Sequence, residues 1–337
     1  MFSLTDSVGA AQERTGVPDV AAALHVQGAT SFAGSAERPF RIASITKSFT
    51  ATLVDEAGLL DDRLTALLSH TAGLRPESRE PLPPVCAGLW SYSNAGYWEA
   101  AAAFDDYSVA LRERVLEPLG LRSTGFETPP DAAPGHQPGG VVADPSYPVE
   151  RRASGGLWST VGDLVTYGLA HCRRWPELKR PVAEALGARY ALGWWVRDGV
   201  VDHEGSVAGF QSLLLLVPER ELVLAVLTNS WRGSALIRHV VEDLALVPAS
   251  EQAPAVPVEG TYRLDGVEAV VAGDRIVERE TDPVTGAALE RRYRFAPAAT
   301  LMSWRSDFPR DGVARIGLTA LPRVTAGTGG GAARPAR

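Results

Sequence analysis

Lysine is nearly missing from this chain. Of 33 basic residues only Lys47 and Lys179 are lysine, and all the others are arginine. Cysteine is as scarce, with Cys86 and Cys172 alone in 337 residues. Their spacing matches no CxxC or metal-ligand pattern, so both are expected as free thiols in a reducing compartment. The six histidines, at 25, 70, 136, 171, 203 and 239, form no ligand cluster, so neither a metal nor a cofactor is expected. No apolar run reaches the ~18 residues of a membrane span. The longest candidate, "LLLLV" at 213 to 217, stops at Pro218. The opening stretch "MFSLTDSVGAAQERTG" has neither the basic nor the apolar region of a signal peptide, and a cytoplasmic protein is expected. There is no basic stripe and the net charge is -7, which argues against nucleic acid or an anionic membrane as the main partner. There is no GxSxG, which disfavours an α/β-hydrolase nucleophile turn.

What the chain does hold is 45% hydrophobic residues, ample for a large core, and enough length for about two domains. Arginine in place of lysine, with abundant Ala, Gly and Pro, points to a GC-rich bacterial genome. A first helix is expected up to Gly16, then two strands, "DVAAALHVQG" and "TSFAG". A helix is expected from Ser44 to Ala57 with Gly58 as its cap, then a short helix at "LTALLSH". A Pro-rich loop spans 75 to 90, helices follow near 95 to 104 and 106 to 117, and 127 to 150 is irregular. Thr160 and Asp163 have near capping-box spacing and start another helix. Four strands come next, "RYALGWWVRDG", "VVDHEG", "GFQSLLLLV" and "ELVLAVLTN", and "ALIRHVVEDLALV" closes as an amphipathic helix. The order predicts an α+β fold, an antiparallel sheet flanked by helices with an all-helical subregion. The expected domains are residues 1–248, a Pro/Ala-rich linker at 249–258, a small all-β module at 259–323, and a disordered Gly/Ala-rich tail at 324–337.

Three strings carry the chemistry. In "FRIASITKSFT", Ser44 and Lys47 stand at i and i+3, on one helical face about 5–6 Å apart. A serine hydroxyl needs a base, and lysine becomes one when apolar burial, as beside Ile42 and Phe49, lowers its pKa. The helix N-terminus opposes the ammonium and favours a developing oxyanion, toward which the Ser44 N–H can point. In "WSYSNAGYWEAA", Tyr92 and Asn94 enter a helix and can bring a phenol and an amide into one cleft. In "VDHEGSVAGF", His203 and Gly205 lie on a strand whose edge can offer the Ser206 N–H as a second oxyanion donor. Taken singly, each string also has a plain structural reading: a surface lysine, an N-capping Asn beside a buried Tyr, a solvent-facing His.

Together and in this order, they resemble the S-x-x-K, Y-x-N and H-x-G motifs of the serine β-lactamase and penicillin-binding protein superfamily, in its class C-like branch. "LLSHTAGL", "LEPLGLRSTGF", "ASGGLWSTVGDL" and "LGWWV" match as well, over roughly residues 15 to 245. The resemblance implies a β-lactamase/transpeptidase-like fold and an acyl-enzyme on Ser44. Lys47 and Tyr92 share the proton work, with the principal base left open. Asn94, His203, Gly205 and Ser206 bind substrate, and the Ser44 and Ser206 N–H groups form the oxyanion hole. His203 stands where many β-lactamases have lysine, and a neutral imidazole anchors a carboxylate weakly. That favours an esterase or a peptidase acting on D-residues over a dedicated β-lactamase. The expected partner is a small-molecule or peptide acyl substrate, with no expectation for oligomeric state. Acyl transfer, such as peptide cyclisation, and an inactive binding homologue are the alternatives. The segments between Lys47 and "LLSHTAGL" and between Gly73 and Trp90 are shorter than the family pattern, which implies an open site tolerant of bulky acyl groups.

Overall fold

The computed structural model describes residues 3–142, 146–246, 257–281, 288–294, 306–310, 312–316 and 318–324. Ser3 caps helix α1 (Leu4–Thr15), and Gly16 ends it at φ 65°. Strands β1 (Val20–Val26) and β2 (Ala29–Gly34) form the expected hairpin, followed by a two-residue strand, β3 (Phe40–Arg41). The helix expected from Ser44 is α2 (Thr46–Glu56), entered through a tight 3-10 turn at Ala43–Ile45. Gly58 lies one residue beyond the Ala57 cap at φ 66°. There the Gly58 and Leu59 N–H groups close back on Asp55 and Val54 in a Schellman arrangement. Asp61 caps α3 (Asp62–Leu68), Ser93 caps α4 (Asn94–Ala101), and Asp106 caps α5 (Tyr107–Leu111). Within 127–150, two two-residue strands pair, β4 (His136–Gln137) with β5 (Gly140–Val141). Then come α6 (Arg152–Gly155), β6 (Trp158–Ser159) and α7 (Val161–Arg173), the last capped by Thr160 as its spacing to Asp163 predicts.

The chain then builds most of one sheet: β7 (Ala183–Ala185), β8 (Ala188–Tyr190), β9 (Trp195–Arg197), β10 (Val200–Val207), β11 (Phe210–Val217) and β12 (Leu222–Thr228). Helix α8 (Gly233–Asp243) follows. The eight-stranded sheet runs β2-β1-β12-β11-β10-β9-β8-β7, antiparallel at every pair. Both faces of β11 and β12 are covered, which is why these strands read as continuous apolar runs. Side chains alternate along a strand. Leu214, Leu216, Val223, Ala225 and Leu227 join the core beneath α2 and α7. Leu213, Leu215, Leu222, Leu224 and Val226 join the core beneath α1 and α8. The stretch "RYALGWWVRDG" is not one strand. It breaks into β8 and β9 at Gly193, whose φ of 75° turns the chain against α2. A Cβ there would lie 2.9 Å from the Lys47 carbonyl oxygen.

The C-terminal region is all β. A four-stranded sheet joins β13 (Gly260–Leu264), β14 (Val267–Ala272), β15 (Arg275–Thr281) and β16 (Ala288–Arg294). A three-stranded sheet joins β17 (Ser306–Arg310), β18 (Val313–Ile316) and β19 (Thr319–Pro322). "VARIGLTAL", expected as one strand, is therefore two. "TLMSWRS" up to Arg305, the tail after Val324 and most of the linker fall outside the described residues. The core of this region includes Tyr262, Ile276, Val313 and Leu321, and it closes over Leu82 and Cys86 of the Pro-rich loop. Arg75 reaches Asp265 at 2.5 Å across the same contact. Cys86 and Cys172 form no disulfide among the described residues. Among the described residues, no helix is long and apolar enough to cross a membrane.

Candidate active site

The site starts from a strained residue. Ala43 has φ 46°, a left-handed conformation uncommon outside glycine. It turns the chain so that Ser44 stands half-buried at the N-terminal end of α2, where N–H groups lack intrahelical partners. Lys47, one turn on, is 0% exposed. Helix α2 is buried on all sides from Thr46 to Val54, polar residues included. Thr46 Oγ1 accepts from the Leu157 N–H at 3.2 Å, and Thr50 Oγ1 donates to the Ala153 carbonyl at 2.7 Å. These bonds fasten α2 to the segment that carries α6. The Lys47 Nζ lies 2.6 Å from the Ser154 carbonyl oxygen, 2.6 Å from Asn94 Oδ1 and 3.3 Å from Ser44 Oγ. Burial lowers the Lys47 pKa to about 7, against the opposing pull of the nearby Glu77 carboxylate.

The turn into α4 is held from several sides. The Ser93 N–H donates to His70 Nδ1 at 3.0 Å, and the Asn94 N–H donates to the Pro76 carbonyl at 2.8 Å. The Tyr92 N–H donates to the Leu318 carbonyl at 2.9 Å, so a hairpin of the C-terminal region braces this turn. The Tyr92 hydroxyl is hydrogen-bonded to Ser44, and its ring lies 4.7 Å from the Lys47 Nζ. Burial pushes the Tyr92 phenol well above its ordinary value, with the Ser44 hydrogen bond opposing the shift. His70 packs beneath Tyr92 with ring centroids 4.2 Å apart, and burial holds it well below the usual imidazole value. Asn94 is occupied at both ends: Oδ1 accepts from Lys47, and Nδ2 donates to Glu77 Oε1.

Strand β10 closes the other side. Gly205 packs directly on the Ile42 carbonyl and the Ser212 hydroxyl, where a Cβ would collide with both. That close approach sets β10 against the turn bearing Ser44, with Ser206 next along the strand and exposed. His203 is turned inward, 2% exposed. Its Nε2 lies 3.2 Å from the Tyr190 hydroxyl and its Nδ1 lies 2.7 Å from the Glu204 carbonyl. Burial, then the Lys47 charge, lowers its pKa to about 3. The neutral ring therefore carries its proton on Nδ1 and accepts from Tyr190 through Nε2.

Ser44, Lys47, Tyr92 and Asn94 thus meet in one cluster, with Gly205 packed against its edge. Sequence reasoning named four further participants nowhere among its site residues: Ser154, His70, Glu77 and Leu318. The strings "ASGGLWSTVGDL" and "LLSHTAGL" contain the first two, so a signal existed. Glu77 lies in a patternless loop, and Leu318 reaches the site only through tertiary folding. The loop between Gly73 and Trp90 is also less bare than its shortness implies, since Leu82, Cys86 and Leu89 pack into the C-terminal core.

Comparisons with known proteins bear on the family and the fold. The Beta-lactamase family model matches residues 4–246. The human protein beta-lactamase-like 1 (Homo sapiens) is 31% identical over 179 residues, a match spanning 46% of this chain and 35% of that protein. Among solved structures, SurE superposes with a TM-score of 0.68 at 23% identity, covering 95% of this chain and 98% of its own; it is also solved with D-Leu. A β-lactamase/D-alanine carboxypeptidase from Pseudomonas syringae superposes with a TM-score of 0.60 at 16% identity, covering 73% of this chain and 99% of its own. The sheet with helices on both faces and the extent of the family match lead to one conclusion: the chain belongs to the Beta-lactamase family.

Proposed function

We propose that the protein forms an acyl-enzyme on Ser44, with neutral Lys47 as the base, from an ester or a D-amino-acid amide. The observation that carries this reading is the environment of the Lys47 Nζ. A neutral amine has two N–H bonds and one electron pair. The Ser154 carbonyl and Asn94 Oδ1, each at 2.6 Å, take the two N–H bonds. The electron pair is left facing Ser44 Oγ at 3.3 Å, within reach for proton transfer. With a pKa lowered to about 7, a large fraction of Lys47 is neutral near neutral pH. Tyr92 is pushed the other way, so it serves as a phenol and not as a phenolate base.

Lys47 takes the Ser44 proton while Oγ attacks the substrate carbonyl. The oxyanion faces the N–H groups of Ser44 and Ser206. The proton on Lys47 passes through the Tyr92 hydroxyl to the departing alcohol or amine, leaving the acyl-enzyme. Water then attacks the ester carbon, giving up its proton through the same pair, and Ser44 is restored. His203 supports the choice of substrate. It is neutral, buried and bonded at both nitrogens, so the position that often holds a lysine offers no positive charge. This supports a donor without a carboxylate at that point. The neighbour solved with D-Leu and the D-alanine carboxypeptidase support a donor with a D-residue.

The test is to incubate the protein with a p-nitrophenyl ester, a chromogenic cephalosporin and a D-Ala-D-Ala peptide, following turnover and intact mass. An acyl mass increment that vanishes in Ser44→Ala is expected, with the ester, which has no carboxylate, turned over faster than the cephalosporin. Preference for an added amine over water as acceptor would shift the reading to acyl transfer. No adduct and no turnover with any donor would leave a binding homologue.

A further inference from the structure

The carboxylate of Glu77 takes no part in these steps. It lies in the Pro-rich loop, yet the fold delivers it to the catalytic cluster. The Pro76 carbonyl accepts the N–H groups of Asn94 at 2.8 Å and Ala95 at 3.2 Å, so the loop backbone caps the start of α4. The next residue, Glu77, then accepts the Asn94 Nδ2 proton through Oε1. Burial raises the pKa of this carboxyl group, opposed by the Asn94 hydrogen bond and by the Lys47 and Arg151 charges. Its other oxygen faces Arg151 at 3.5 Å, and the Arg151 guanidinium lies 5.0 Å from the Trp98 ring. Lys47, Asn94, Glu77 and Arg151 thus form one polar line along the floor of the site.

We propose that Glu77 is a positioning residue that fixes the Asn94 amide and, through it, aims the free electron pair of Lys47 at Ser44. The proposal rests on the reading of Lys47 as the base. A primary amide is nearly symmetric in shape, so an isolated Asn94 can present either its oxygen or its NH2 to Lys47. Glu77, when ionised, only accepts hydrogen bonds, and it therefore binds the NH2 end. The oxygen must then face Lys47 and take one of its N–H bonds. Were the amide reversed, the NH2 group would seek the lysine electron pair and pull it away from Ser44. Glu77 thus acts on the nucleophile's base without touching substrate.

The charges around this line set the pH behaviour. Lys47 is faced by Glu77, by neutral His70 and His203, and by the rings of Tyr92 and Tyr97. Glu77 is faced by Lys47, Arg151 and, from β15, Glu280. A negative charge near Lys47 favours its ammonium form, so removing the charge makes the amine easier to deprotonate. The acid limb of the acylation profile should then move to lower pH.

Two variants separate charge from orientation. Glu77→Gln removes the charge but keeps an oxygen that can accept from Asn94. Glu77→Leu removes both. The measurement is the burst rate of the full-length protein with a p-nitrophenyl ester across pH, with thermal denaturation as a folding control. Glu77→Gln should keep the plateau rate within about threefold and shift the acid limb down by about half a pH unit or more. Glu77→Leu should lower the plateau by about tenfold or more with little change in ester KM. If both variants fold and keep the wild-type plateau and limb while Lys47→Arg is inactive, Glu77 is a bystander and the proposal fails. If Lys47→Arg keeps its burst, the assignment of the base is itself wrong.

Discussion

At the scale of single residues, two cations in this chain are lysine, and the more deeply buried of them lies beside Ser44. Arginine stays protonated under all ordinary conditions, so it cannot take the Ser44 proton. Lys47→Arg is therefore expected to lower the acylation rate by at least about 10²–10⁴, as loss of a general base does. Burst kinetics with an activated ester would check it, and near-wild-type acylation in that variant would remove Lys47 from the mechanism. The scarcity of lysine made this position legible in the sequence, because a lone lysine three residues after a serine is conspicuous among arginines. His203 was legible as a position but not as a conformation. Its pattern on β10 gives no sign that both ring nitrogens are satisfied inside the protein. Glu77 was not legible at all, since its partner Asn94 lies across a loop with no periodicity.

At the scale of elements, the antiparallel sheet followed from the apolar runs of β11 and β12, and the start of α7 followed from Thr160, whereas Ser93 and not Asn94 caps α4. The entry to α2 did not follow in this way. A left-handed Ala43 is a product of tertiary packing, since its neighbours are the Gly205 backbone of β10 and the turn itself. The same holds for the break between β8 and β9, which Gly193 permits because α2 passes so close. Gly205 is the sharper test of this packing. Gly205→Ala forces a methyl group into the Ile42 carbonyl and Ser212 hydroxyl, which should cost about 1–3 kcal/mol of stability. It should also displace the turn bearing Ser44. Urea denaturation and burst kinetics together would check this. Loss of stability with an unchanged acylation rate would mean that β10 does not set the position of the nucleophile.

At the scale of the whole molecule, the C-terminal all-β region and the cluster around Ser44 share a boundary made of the loop before Tyr92. Leu82 and Cys86 are buried in the C-terminal core, and the Leu318 carbonyl holds the Tyr92 N–H. Ser91 Oγ accepts from the Ala320 N–H at 3.1 Å, a contact between residues 229 positions apart. Contacts at such separation leave no local trace, which is why the sequence pattern located these strands but not their role beside Tyr92. Ser91→Ala leaves a buried N–H without its partner, worth about 1–3 kcal/mol. A lower melting temperature and a lower acylation rate are both expected. A loss of stability alone would confine the contact to folding.

The central claim is that Ser44 is acylated with neutral Lys47 as its base, and the pH dependence of the acylation burst tests it most directly. Below a pH of about 7 the burst rate constant should rise about tenfold per pH unit, as the Lys47 ammonium gives way to the amine, and above it the rate should level off. Ser44→Ala should show no burst at any pH. A wild-type rate that is flat through this range, or that climbs without a break toward the region where phenols ionise, would contradict the account.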